Sequence, residues 1–163
     1  MGSLTGTSRV QAENALAKGL FHPLTIRVAG GLENPEREYA RLAEEAAAAN
    51  GKHLLLWTES TPQTAQISGE TGTRVAALFG GAACAVCRAA PCAIVYATGG
   101  STAVAVASAF DINAIRLEDE CMPGVVLASC PDSGRHGIRW FISKAGGFGT
   151  PETLGMLAER FRA

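Results

Sequence analysis

Three short runs constrain this chain more than anything else in it. His53–Trp57 (HLLLW) and Ala93–Ala97 (AIVYA) are apolar without polar alternation, and Ile138–Ser143 (IRWFIS) is a third clear strand candidate. Continuous apolar strands belong in a sheet covered on both faces. The covering elements are legible between them. Asn34-Pro35-Glu36 combines a capping side chain, a first-turn proline and an acid at the positive helix end. Tyr39, Leu42, Ala43 and Ala46 then fall on one helical face, and Gly51 ends the segment. Ser8-Arg9-Val10-Gln11 has the hydroxyl-to-amide spacing of a capping box and predicts a helix to Lys18. Thr71 to Ala90, Thr102 to Phe110, and the segment from Thr150-Pro151-Glu152 to Phe161 also read as helices; the many small residues of the first suggest close packing. Leu24–Val28, Ile115–Leu117 and Val125–Ala128 read as further short strands, the last two around the turn Met122-Pro123-Gly124. Strands alternating with helices predict an α/β fold of three layers, a mainly parallel sheet with helices on both faces. The chain's 163 residues suffice for one such domain, 1–163, and no repeat or linker divides it.

Composition narrows the function classes. Apolar residues make up 47% and charged residues 18%, a folded rather than disordered balance. A net charge of −1 gives no basic field for nucleic acid or an anionic membrane. The apolar stretch Val75–Cys87 contains glycine and is too short to span a bilayer, and MGSLTGTSRVQ lacks the apolar core of a secretory signal. The expected location is the cytoplasm. Cys84, Cys87, Cys92, Cys121 and Cys130 read as reduced thiols acting as small apolar residues, because Cys84-x-x-Cys87 lacks the second half of a metal site.

Three segments lead small residues into a helix start: Gly2-Ser3-Leu4-Thr5-Gly6-Thr7-Ser8, Thr98-Gly99-Gly100-Ser101-Thr102, and Lys144-Ala145-Gly146-Gly147-Phe148-Gly149-Thr150. A helix N-terminus carries unpaired N–H groups and partial positive charge, so it suits a phosphate. Glycine lets the backbone approach the anion, hydroxyls add donors, and Lys144 adds a full charge. The last two loops each follow an apolar strand, so both should lie where the carboxyl ends of sheet strands bind ligands. Each loop alone reads first as turn and cap chemistry, and it is the three together that put an anion cradle on a par with it; neither a P-loop nor a G-x-G-x-x-G occurs. Glu118-Asp119-Glu120 could hold Mg²⁺ or simply face water; Trp57 and Trp140 suit core packing more than adenine stacking.

The string GGSTAVAVASAFDINAIRLEDECMPGVVLAS…IRWFISKAGGFG resembles the C-terminal nucleotide-binding domain of the four-carbon acid sugar kinases. That family has a GG-[acid]-T loop opening a helix, a PGVP-like turn, and a final KSG-x-FG loop. Gly2-Ser3-Leu4-Thr5 with Gln11 is similar to its G-S-x-S…T-x-x-Q segment. The resemblance covers essentially the whole chain. It implies ATP and Mg²⁺ as cofactors, with Ser3, Gly99, Gly100, Ser101, Thr102, Gly146 and Gly147 on the nucleotide, and Lys144 as a weaker candidate for a phosphate contact. It assigns no metal ligand and no catalytic base in this chain. It implies a partner N-terminal domain, in the same protein or a separate chain, that binds a threonate- or erythronate-like sugar acid. A homodimer stays open. Two departures stand out: Ser101 replaces the family's acid, and Ala145 replaces a hydroxyl. They leave the backbone cradle and remove polar side chains, so the alternative is a stand-alone nucleotide- or phosphate-binding regulatory module without catalysis. A hydrolase using the same cradle has no Ser-His-Asp order or nucleophile elbow to support it.

Overall fold

A computed structural model describes residues 6–49, 51–58, 69–131 and 137–161. The elements run α1 (Gly6–Ala17), β1 (Phe21–Ile26), α2 (Val28–Glu33), α3 (Pro35–Ala47), β2 (His53–Thr58), α4 (Gly69–Ala89), β3 (Ile94–Thr98), α5 (Gly100–Ala109), β4 (Arg116–Met122), β5 (Val125–Ser129), β6 (Trp140–Lys144) and α6 (Thr153–Arg160). No helix among the described residues is long and apolar enough to cross a membrane.

The strands form two sheets, β1-β2 and β3-β6-β5-β4. The first is parallel, and β3 pairs β6 in parallel. β5 runs antiparallel to both β4 and β6. The expected mainly parallel sheet is therefore corrected: the larger sheet is mixed. The cause is local. Only Pro123 and Gly124 separate β4 from β5, and so short a link reverses the chain into a hairpin rather than crossing over. Gly124 takes φ +74°, the left-handed conformation that favours glycine.

Packing follows the two-residue period of the strands. From β2, Leu54 and Leu56 pack with Leu42 of α3 and Phe79 of α4, whereas Leu55 and Trp57 pack with Ala12 of α1 and Leu154 of α6. From β3 and β6, Val95, Ala97 and Phe141 join Phe110 beside α5, whereas Ile94, Tyr96 and Ile142 join Leu157 of α6. The apolar runs are thus covered on both faces, as their composition demands.

The Asn34 cap forms as expected: its side chain accepts from the Arg37 N–H at 3.1 Å, with Pro35 in the first turn. The strand expected at Leu24–Val28 instead occupies Phe21–Ile26 and accommodates Pro23, which its one-neighbour position allows. Val28 begins α2, an element the sequence conceals behind Gly30 and Gly31. A Cβ on Gly31 would sit 2.8 Å from Leu78 of α4, so the glycine lets α2 lie close. Close packing by small residues is clearest at Gly80, where a Cβ would lie 2.6 Å from the Ala105 carbonyl of α5.

Candidate functional site

β3 and β6 end together. Thr98 and Lys144 are register partners across the parallel pair, and the Gly99 N–H donates to the Lys144 carbonyl at 3.0 Å. The two glycine loops therefore leave the sheet side by side on one rim. Gly99 has φ +91°, which lets the chain turn directly from strand into α5. The helix starts at Gly100, two residues earlier than the sequence suggests. Its first intrahelical bond runs from Ala103 N–H to Gly99 O, and Gly99 supplies no side-chain cap. The N–H groups of Gly100, Ser101 and Thr102 thus lie in the turn that a helix leaves without internal acceptors. Ser101 is exposed, while the Thr102 side chain is buried.

The second loop is held from beneath. Lys144 is only 3% exposed, and its Nζ donates to the carbonyls of Ala145 (2.9 Å), Gly146 (3.2 Å) and Phe148 (3.0 Å). An ammonium has three donors, and all three are used inside the loop. The side chain expected to reach a phosphate instead organises the backbone. Burial pulls its pKa below the ordinary lysine value. A trans peptide sets each C=O antiparallel to the following N–H. With the Gly146 and Phe148 carbonyls turned to Nζ, the N–H groups of Gly147 and Gly149 point the other way.

Helix α1 completes the support. Ser8 Oγ donates to Gly146 O at 3.0 Å and meets Thr98 Oγ1 at 3.2 Å; Gln11 Nε2 donates to Phe148 O at 3.0 Å. Ser8, Gln11 and Thr98 are fully buried. Ser8 and Gln11 carry the spacing of a capping box, yet they lie inside α1 and bond 138 and 137 residues away. Sequence spacing cannot distinguish those two uses of one hydroxyl and one amide. The loop's far end is fixed by Thr153, whose Oγ1 accepts from Thr150 N–H at 2.9 Å. Thr150-Pro151-Glu152 form a turn, and α6 proper starts at Thr153. At Gly149, φ is +85° and a Cβ would meet Thr153 Oγ1 at 2.5 Å and Gln11 Nε2 at 2.9 Å. The hairpin turn meets the same loop: a Cβ on Gly124 would lie 2.5 Å from the Phe148 ring.

Above the rim there is room. A Cβ built on Gly100 or on Gly147 meets no atom within 4 Å. Helix-start amides suit an anion approaching this open side. The loops 98–102 and 144–150 contain no carboxylate, so a Mg²⁺ ion there would be held through phosphate oxygens and water. Ser3 lies outside the described residues.

The other candidates are engaged elsewhere. The Gly124 N–H donates to Glu120, Ser129 Oγ donates to Glu118, and Arg160 pairs Asp119 at 2.8 Å, so the three acids brace the hairpin of β4 and β5 and its contact with α6. Trp57 packs in the α1 cluster and donates Nε1–H to Thr25 Oγ1 at 2.9 Å, with the Arg9 guanidinium 5.6 Å above its ring.

Known proteins match this chain along nearly its whole length. The chain is 27% identical over 167 residues to the D-threonate kinase of Salmonella typhimurium strain LT2, covering 94% of this chain and 39% of that protein. Among solved structures, a DUF1537 protein of Bordetella bronchiseptica, crystallised with citrate as a domain-swapped dimer, matches with TM-score 0.77 and 29% identity over 97% of this chain and 39% of that one. A Haemophilus influenzae protein matches with TM-score 0.75 over 99% of this chain and 39% of that one; at 15% identity it speaks for the fold alone. The chain thus spans about two-fifths of these relatives' length. The family model described as the nucleotide-binding C-terminal domain matches residues 1–154. With two glycine loops on one sheet edge and this match along nearly its whole length, the chain belongs to the family of C-terminal nucleotide-binding domains found in the four-carbon acid sugar kinases.

Proposed function

We propose that the rim binds the polyphosphate of ATP with Mg²⁺, and that the chain is the nucleotide-binding half of a kinase for a threonate- or erythronate-like sugar acid. The observation that supports this reading is the register pairing of Thr98 with Lys144, from which loops 98–102 and 144–150 leave the sheet side by side. Gly99, Gly100, Ser101, Thr102, Gly146 and Gly147 serve as the cradle, and the family resemblance adds Ser3. Lys144 acts through the loop it shapes rather than on the phosphate.

Phosphoryl transfer depends mainly on positioning and charge neutralisation. Mg²⁺ supplies neutralisation when bound; this chain contributes oriented amides. The sugar acid, and the base that takes its hydroxyl proton, belong to the N-terminal domain that the longer relatives accommodate. The domain-swapped dimer of the Bordetella relative supports a homodimeric assembly.

The alternative, a regulatory module that binds nucleotide without catalysis, draws on Ser101 and on the inward commitment of Lys144. Thermal melting with ATP, ADP and Mg²⁺ tests what both share: a ligand at a hundred times its Kd stabilises by about 2.7 kcal/mol. No shift at millimolar nucleotide removes both readings. Adding the N-terminal domain and a four-carbon sugar acid separates them, since only the kinase reading yields ADP.

A further inference from the structure

Two cysteines form a pair that the nucleotide chemistry does not use. Cys87 lies in the last turn of α4, Pro91 turns the chain, and Cys92 comes two residues before β3. This reversal brings Cys87 Sγ to 3.1 Å from Cys92 Sγ. Both residues are half-buried against the core between α4, β3 and α5, so the sulfurs are packed together without being sealed. The other cysteines differ. Cys84 and Cys130 are buried, the Cys84 thiol donates to Ala109 O, and Cys121 lies on β4. Among the described residues no cluster of three His, Cys, Asp or Glu side chains could turn the pair into a metal centre.

We propose that Cys87 and Cys92 are a redox modification site, an intrachain dithiol that a hydroperoxide converts to a disulfide and a dithiol reductant restores. The surroundings of the two sulfurs differ. The contact between them and the Ile94 N–H hold Cys92 below the usual thiol range against the opposing effect of burial; the same contact, with burial, pushes Cys87 up. Cys92, the sulfur that also accepts the Ile94 N–H, is the one assigned to attack and Cys87 the one to resolve. In the first step the Cys92 thiolate attacks one peroxide oxygen. The O–O bond breaks, an S–O bond forms, and the departing alkoxide or hydroxide takes a proton from water, giving a sulfenic acid. In the second step Cys87 sulfur attacks Cys92 sulfur. The S–O bond breaks, the S–S bond forms, and hydroxide leaves as water with the Cys87 proton. Two electrons pass from the two thiols to the peroxide. Approach of the sulfurs requires them to close only about 1 Å, from contact to bond length.

Trypsin offers a direct test, because Arg88 separates the two cysteines. Hydrogen peroxide treatment followed by non-reducing digestion should join peptide 75–88 to peptide 89–116, remove two of the five alkylatable thiols, and release both on reduction. The Cys84→Ser protein should behave identically, since Cys84 shares the first peptide. In Cys87→Ser, a dimedone-type probe should label Cys92; in Cys92→Ser, Cys87 should stay unlabelled at the same dose. Wild-type protein that keeps Cys87 and Cys92 alkylatable after peroxide, or that links through Cys84 or between chains instead, overturns the proposal without any appeal to a variant.

Discussion

Thr98 and Lys144 face each other in register at the ends of two parallel strands, and each hands the chain to a glycine loop. Their side chains point inward: Thr98 is fully buried against Ser8, and Lys144 feeds its whole hydrogen-bonding capacity into the loop that follows it. The charge of the rim is thus spent on shape, and the groups left for a ligand are backbone amides.

Gly147→Asp separates binding from folding. Gly147 has no positive φ, and a side chain there meets nothing within 4 Å. Stability without ligand should change by no more than about 0.5 kcal/mol. A carboxylate in the cradle should weaken nucleotide binding at least tenfold, or about 1.4 kcal/mol, measured by calorimetric titration.

Lys144→Met tests the inward role. Each of the three carbonyls keeps one other donor: Phe148 N–H for Ala145, Ser8 Oγ for Gly146, Gln11 Nε2 for Phe148. The cost in chemical denaturation should therefore stay near about 1–3 kcal/mol rather than abolish folding. The nucleotide-induced thermal shift should shrink with it, because the amides of Gly147 and Gly149 lose their fixed direction.

Much of this architecture was legible beforehand. The Asn34 cap, the doubly covered HLLLW run and the paired glycine loops follow from local chemistry, and each stands where that chemistry predicts. Strand direction did not follow. Two strands flanking Met122-Pro123-Gly124 were legible, but the acidic residues Glu118–Glu120 hide how far the edge strand β4 runs toward that turn, and so hide the tight hairpin that makes the larger sheet mixed. The support beneath the rim was equally hidden. Ser8 and Gln11 have the spacing of a local cap, and only the fold reveals that they reach Gly146 and Phe148.

Gly80→Ala probes how α5 is aimed. Its new methyl would press on the Ala105 carbonyl, which is backbone and can yield only by moving the helix. Overpacking of this kind costs about 1–3 kcal/mol. Nucleotide affinity should fall as well, since the proposed cradle includes the start of α5; stability loss with unchanged affinity would detach α5 from the site.

Glu38 supplies a pH signature away from the rim. Burial alone would raise its pKa, but the Arg41 guanidinium and the Arg27 N–H outweigh it and hold the carboxyl below the ordinary value. A depressed folded pKa stabilises above the unfolded value of 4.5, and that stability is lost as pH falls through the folded value. Glu38→Gln should therefore cost about 2 kcal/mol near neutrality. The gap from wild type should narrow as pH falls below 4.5 and through the folded value, as followed by denaturant melts across pH.

The central claim is that backbone amides at the ends of β3 and β6 grip the nucleotide's phosphates. Titrating ATP and Mg²⁺ into isotopically labelled protein and following each backbone amide by NMR tests it most directly. The account predicts that the amides of Gly100, Ser101, Thr102, Gly147 and Gly149 shift most and saturate together. Saturable binding that leaves those five unmoved, with the largest shifts elsewhere, would contradict it.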